Sequence, residues 1–206
     1  MLRRTILTLA AGFLAIPSLA PAEPVEWRFD AAHSYVGFKV RHMMVTWVRG
    51  RFNEAQGKIW YDPANPAATR VEIDINPATI DTENERRDKH LRSDDFFAVD
   101  KHPAMKFVSK KAEPSGGGLK VTGDLTMRGV TKEIVLTVAD ISPTVADGRG
   151  GEKMGATASA KINRKEWGIN YHQVLDSGGL NVGDEVTIEI EAELARGGGE
   201  RKSSGD

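Results

Sequence analysis

The chain of 206 residues contains no cysteine. That absence excludes a disulfide framework, a thiol nucleophile, thiolate metal ligands and a lipid-modified N-terminal cysteine. A folded domain here must be held by its apolar core alone. An excess of one charge is lacking too, with 28 Lys and Arg against 29 Asp and Glu. Nucleic acid and anionic membrane surfaces are therefore disfavoured as the main partner. No segment approaches the ~18 consecutive apolar residues of a transmembrane helix, so no integral membrane segment is expected. No repeat or linker divides the chain, and its length suits a single domain.

What is present at the start is a leader pattern. Met1 to Arg4 is positively charged, Thr5 to Ile16 is an apolar run, and Ala20-Pro21-Ala22 is a small-x-small cleavage pattern. Residues 1–22 are expected to be a cleaved signal peptide, with Glu23 as the new N-terminus. Arg3-Arg4-Thr5-Ile6-Leu7 echoes a twin-arginine start without the rest of that pattern, so export in the unfolded state is expected. Residues 1–22 hold two arginines and no acid, so the mature chain carries a net charge of about −3. The short charged start and the composition point to a periplasmic address.

Beyond the leader, period-two alternation dominates. Val71, Ile73 and Ile75 alternate with Glu72, Asp74 and Asn76. Leu119, Val121, Leu125 and Met127 do so against Lys120, Thr122, Asp124 and Thr126, as do Ile134, Leu136 and Val138 against their neighbours. Val186, Ile188, Ile190, Ala192 and Leu194 face away from Thr187, Glu189, Glu191 and Glu193. Less regular strands are expected around Val36-Phe38-Val40 and over 57–61, 105–110 and 155–163. Turn residues separate them, as in Asp62-Pro63-Ala64-Asn65-Pro66 and Arg128-Gly129. About eight strands with one apolar face each, joined as hairpins, close as a barrel or pack as a sandwich.

Two stretches break the alternation. Residues 42–48 read as a short helical turn. The span 79–103 is a long excursion between strands, with a helix over Thr82 to Leu91 capped by Asp81 or Thr82 and a second short one from Ser93 through Phe97. The last residues, 196–206, are glycine, serine and charge, and are expected to be disordered. The fold expected over 23–195 is all-β: an eight-stranded antiparallel barrel with one or two short helices in that excursion.

An eight-stranded barrel is either filled by its own side chains or just wide enough for one small ligand. Ala156, Ala158 and Ala160 alternate on one strand face where neighbouring strands offer Leu, Ile and Val. Facing inward they leave a dry cavity. Trp60, Trp167 or Phe107 is positioned to fill it instead.

Catalytic and metal readings are weaker. His33, His42, His90, His102 and His172 include no H-x-H or H-x-x-x-H pair, so no metal is expected. Asp30, His33 and Ser34 superficially resemble a hydrolytic trio, but they are local in sequence and no Gly-x-Ser-x-Gly elbow exists. Asp176-Ser177-Gly178-Gly179 reads as a glycine-rich loop. Arg86, Arg87, Lys89 and Arg92 are placed either to meet an anionic headgroup at the barrel mouth or, the preferred reading, to form a solvated helix face paired with Glu83, Glu85 and Asp88. Catalytic residues and cofactors are assigned as none. Met43, Met44, Trp47 and Phe52 cluster after the first long strand, where methionine adapts to irregular apolar ligands and tryptophan can seal a cavity. The candidate ligand-lining set is Phe38, Val40, Met43, Trp47, Phe52, Ile73, Ile75, Leu125, Met127, Ala158 and Trp167.

A resemblance extends this reading. Trp27-x-x-Asp30-x-x-His33-Ser34 and Phe38-x-Val40-x-His42-Met43 resemble the opening of the YceI-like family. Arg87-Asp88-x-His90-Leu91, then Asp95-Phe96-Phe97-x-Val99-x-Lys101-His102-Pro103, follow in order. Gly123-x-Leu125-Thr126-x-x-Gly129-Val130-Thr131-Lys132 and Ala158-x-Ala160-x-Ile162-Asn163-Arg164-x-x-Trp167-Gly168 complete the pattern, with Val182-Gly183-Asp184-Glu185-Val186. The similarity runs from about 27 to 195. It implies a lipocalin-like, usually periplasmic barrel whose cavity holds a polyisoprenoid or a quinone-like amphiphile, with no established enzymatic activity. Trp47 with Arg49 departs from the family pattern, where smaller residues precede the Gly-x-Phe. The expected function is a carrier of a long-chain isoprenoid. The alternatives are an enzyme on a prenyl lipid using His33 or His172, and a stress-linked interaction module with a filled barrel. A homodimer through an exposed strand stays open, though no large apolar patch argues for it.

Overall fold

Strand 118–127 shows how the fold is encoded. Leu119, Val121, Gly123, Leu125 and Met127 are buried, and the residues between them are not. Successive side chains of a strand point to opposite faces, so one face is sealed from water and the other is wet. The computed structural model describes residues 24–172 and 181–197. The expected signal peptide, the Asp176-Ser177-Gly178-Gly179 loop and the tail past 197 lie outside the described residues.

The strands are β1 (Val25–Phe29), β2 (Tyr35–His42), β3 (Thr46–Phe52), β4 (Ala55–Tyr61), β5 (Arg70–Ile75) and β6 (Ile80–Asp81). They continue as β7 (Met105–Ser115), β8 (Gly118–Met127), β9 (Val130–Ala139), β10 (Val145–Ala146), β11 (Gly151–Asn163) and β12 (Val182–Gly197). One α-helix, α1, spans Glu85–Arg92. Every pairing is antiparallel.

Six of these segments are halves of three long, bent strands. β1 opposite β4 (Arg28 facing Lys58) continues across a bend as β2 opposite β3 (Gly37 facing Arg51). β4 opposite β5 likewise continues as β3 opposite β6. At the bend, Asn53 donates to the Thr79 carbonyl at 3.2 Å and Asn76 to the Glu54 carbonyl at 3.0 Å, so bonding bridges the interruption. Counted this way, and with the two-residue β10 set aside as a short addition on the edge of β11, the ring has eight members, each next to its neighbour in sequence. β12 closes it, pairing with β11 from Glu185 to Gly197 on one edge and with β2 and then β1 on the other. The all-β, eight-stranded antiparallel barrel expected from the sequence is the observed architecture.

Local expectations fare unevenly. Residues 42–48 form no helical turn; they are the tip and flank of the β2–β3 hairpin, with His42 paired to Thr46. The helix cap is Asn84, whose side chain accepts from the Arg87 N–H at 2.9 Å. Thr82 instead hydrogen-bonds Asp88, a residue buried with it. Ser93 does not open a second helix: it is the C-cap of α1, and turns follow it. Arg196 and Gly197 belong to β12 rather than to a tail, because Glu152 and Gly151 across the ladder continue to pair with them.

Two polar clusters tie the barrel together. Arg164 is only 4% exposed, and its guanidinium donates to the carbonyls of Gly183 (2.9 Å), Ile169 (2.7 Å) and Val182 (3.3 Å), with Asp184 at 3.3 Å. It pins the start of β12 to the 3₁₀ turn Arg164–Trp167. At the other end Lys153 bridges Asp30 (3.0 Å) and Glu193. Burial raises the Asp30 carboxyl, but hydrogen bonds and charge from Lys153 and His33 outweigh it and hold Asp30 below the ordinary aspartate value.

Arg164→Met is expected to destabilise the fold by about 3 kcal/mol, because carbonyls left without a donor stay buried. A lowered urea midpoint at unchanged slope checks this. A depressed folded pKa makes Asp30 stabilising above its unfolded value, with that contribution lost as pH falls through the folded one. The stability gap between the parent and Asp30→Asn should therefore stand in full above about pH 5 and close as the solution becomes more acidic. Thermal melts across the acid range read it.

Candidate functional site

The lumen is hollow. Its cavity of about 450 Å³ is lined almost entirely by apolar side chains from around the ring and by residues of the 82–104 excursion. That volume lies within the usual range of ligand pockets, ~300–1,000 Å³. The space exists because Ala156 and Ala158 stand on the inner face of β11, opposite Ala192 and Ile190 of β12. Phe107 contributes to the wall without filling the space. Trp60 carries the Arg70 guanidinium 5.1 Å from its ring centroid.

The two ends differ. Beside Phe29 and Leu194 of the lining, Trp27 is 3% exposed and packs with Met154 and Leu194. The Arg196 guanidinium stacks 4.7 Å from its ring centroid. At the opposite end the lining turns polar, with His42, Arg87, His90, Arg164 and Tyr171. His90 is held by Asp95 at 2.8 Å and meets Phe96 and Tyr171 edge-on, with centroids 5.1 and 4.8 Å away. Arg87 donates to the Thr82 carbonyl and hydroxyl. Burial pushes the Arg164 guanidinium pKa down, against the pull of Asp184. Burial also raises the Tyr61 phenol, with Asp62 adding to it, so this lining hydroxyl is neutral at physiological pH.

Of the sequence candidates, Phe38 and Val40 on β2, Phe52 on β3, Ile73 and Ile75 on β5, Leu125 and Met127 on β8 and Ala158 on β11 all line the cavity. Three do not. Met43 lies in the hairpin turn, 44% exposed. Trp47 pairs with Arg41 on the outer face of the β2–β3 ladder, where the guanidinium stacks 4.2 Å from its ring centroid. Trp167 is 1% exposed, but its indole N–H donates to the Leu125 carbonyl at 3.0 Å and it packs as core beside the lumen.

The polar end was only partly legible in the sequence. Arg87, preferred as part of a solvated helix face over a headgroup contact at the mouth, lines the cavity and is held against Thr82. His42 and His90 gave no pairwise spacing to notice. The alternation through Val186, Ile188 and Ile190 marked the inner face of β12, and all three line the cavity.

The Asp30–His33–Ser34 trio lies elsewhere. His33 pairs with Asp30 at 3.1 Å, while Ser34 donates to the Glu193 carbonyl and accepts the Glu193 N–H. Asp30, His33 and Glu193 have ligand atoms within 4.8 Å of one another, but the Lys153 ammonium already occupies the space between the carboxylates. Neither His33 nor His172 lines the cavity. Among the described residues no helix is long and apolar enough to cross a membrane.

Known proteins resemble this chain in sequence and in fold. A UPF0312 protein of Photorhabdus laumondii is 37% identical over 169 residues, covering 81% of this chain and 87% of its own length. A Campylobacter jejuni YCEI protein of known structure is 35% identical, with a TM-score of 0.64 over 82% of this chain and 96% of its own. A polyisoprenoid binding domain from Saccharophagus degradans, implicated in plant cell wall breakdown, shares the fold at 16% identity. It has a TM-score of 0.59 over 82% of this chain and 97% of its own. The model of the YceI-like domain matches residues 27–194, and the chain belongs to the YceI-like family.

Proposed function

We propose that the protein is a periplasmic carrier that holds a long-chain isoprenoid lipid, polyprenyl or quinone-like, in the barrel lumen. The observation that carries this reading is the lumen itself: about 450 Å³ of apolar-walled space, with buried Trp27 packed against its wall at one end and polar groups at the other. Each CH₂ taken from water contributes about 0.8 kcal/mol, so a tail of a few isoprene units binds without any charge pairing. The wall between the two ends offers an alkyl chain no competing charge. A headgroup would sit at the polar end, near His42, Arg87, His90 and Tyr171. The polyisoprenoid binding of the Saccharophagus domain supports the class of ligand by analogy of fold. The leader pattern of residues 1–22 supports the address.

The reading is of binding rather than catalysis. The paired Asp30 and His33 are not among the residues that line the lumen.

Two outcomes are expected. Protein expressed with its leader in a Gram-negative host should yield, on organic extraction and mass spectrometry, an isoprenoid in near-stoichiometric amount. Lipid-free protein that also fails to take up prenyl lipids in vitro would sink the proposal. Ala158→Phe should occupy lumen space, leaving circular dichroism unchanged and weakening prenyl-lipid uptake by about tenfold or more, equivalent to ~1.4 kcal/mol. Fluorescent-probe titration measures the loss.

A further inference from the structure

The tip of the β2–β3 hairpin is costly in a way that the barrel does not require. Exposed large hydrophobic residues are few among the described residues, and three of them are consecutive here: Met43 at 44%, Met44 at 61% and Val45 at 78%. The turn is closed by the Val45 N–H donating to the His42 carbonyl at 2.9 Å, and Met43 and Met44 both have positive φ, 50° and 60°. Asn-Gly is the pair that suits such a turn; two methionines are disfavoured by backbone and by solvent alike. Strain and exposed apolar surface kept at one spot suggest a contact made there.

The shaft behind the tip is basic. Lys39, Arg41, Arg49 and Arg51 lie on it, and residues 31–53 contain no acid. Lys39 is paired with Glu189, and Arg51 approaches Asp81 at 3.7 Å. Arg41 and Arg49 have no ion pair among the described residues, and Arg41 lies against Trp47. The inward residues of these strands, Val40, His42 and Val48, line the polar end of the cavity. The hairpin is thus the lip of the lumen.

We infer that this hairpin docks on an anionic lipid surface, with Met43, Met44 and Val45 inserted among the acyl chains, Trp47 at the headgroup level, and Arg41 and Arg49 against lipid phosphates. Tryptophan favours that interface, and each basic residue near an anionic leaflet adds attraction. The near-neutral charge of the whole chain does not oppose this, because charges beyond a Debye length of about 10 Å are screened. Docked so, the polar end of the lumen faces the membrane, and an apolar ligand passes between them with little exposure to water. The transfer role rests on the lipid-carrier reading; the docking geometry does not.

Flotation of the mature chain with phosphatidylcholine vesicles, with and without phosphatidylglycerol, tests the inference. The parent should float with the phosphatidylglycerol vesicles and detach as salt is raised. Met43→Asn with Met44→Gly suits the turn and should fold at least as well. It should lose vesicle association about tenfold or more, with uptake of an apolar probe into the lumen unchanged. Arg41→Gln with Arg49→Gln should abolish the preference for phosphatidylglycerol. The docking inference is overturned if the parent does not float, if the turn variant floats equally well, or if the turn variant abolishes only self-association. If the parent floats but takes up no apolar probe, docking stands and the carrier reading fails.

Discussion

β12 satisfies hydrogen bonds along both of its edges at once, and that double pairing makes the structure a barrel rather than a curled sheet. Its residues from 185 to 197 form an unbroken ladder with β11, while β2 and then β1 occupy the other edge. Closure removes the free edges that an open sheet would expose to other chains. It also fixes the inside: once the ring is shut, every second residue of each strand faces a lumen that water cannot freely fill. Arg164 secures the start of β12 and the Lys153 cluster secures the region near its end, so the closing strand is tied at both extremities.

A closed eight-stranded ring has only a little room, and its use depends on side-chain size. Here β11 spends its inner face on Ala156 and Ala158, and the closing strand adds Ala192 near the far end. Larger residues there would fill the lumen and stabilise the fold through burial. The cavity therefore trades some core for the capacity to bind. The fold tolerates this because the wall of the lumen is itself packed core: Val121, Leu125 and Met127 are buried beside Trp167, and Met154 and Leu194 beside Trp27. Where the cavity becomes polar, three of the groups are already held by protein: His90 by Asp95, Arg87 by Thr82, Arg164 by backbone carbonyls. Such a rim is organised before a ligand arrives.

Met43 and Trp47 lie off the lumen for one reason. Met43 and Trp47 were grouped with Phe52 by nearness in sequence, but a hairpin turn lies before Trp47 and decides which face each residue takes. Pairing of His42 with Thr46 puts Trp47 opposite Arg41, outside, and Val48 opposite Val40, inside. A stretch without alternation cannot reveal that register. Trp167 was misjudged for another reason. Its bond to the Leu125 carbonyl joins residues 42 apart, and no local pattern encodes it.

The sequence by itself determined the class of fold, the approximate strand set and the inner face of most strands, because period-two alternation is a local consequence of strand geometry. It also put three small residues, Ala156, Ala158 and Ala160, on one face of β11; that this face turns inward, with Ala156 and Ala158 on the lumen, came from the structure. Only the tertiary structure decided that the ring closes through β12, that Trp27 packs against Met154 and Leu194 of the lumen wall, and that Arg87, His42 and His90 all line the lumen. Those are contacts between residues far apart in the chain, set by register and by the bends between half-strands, and no periodicity of one segment specifies the position of another.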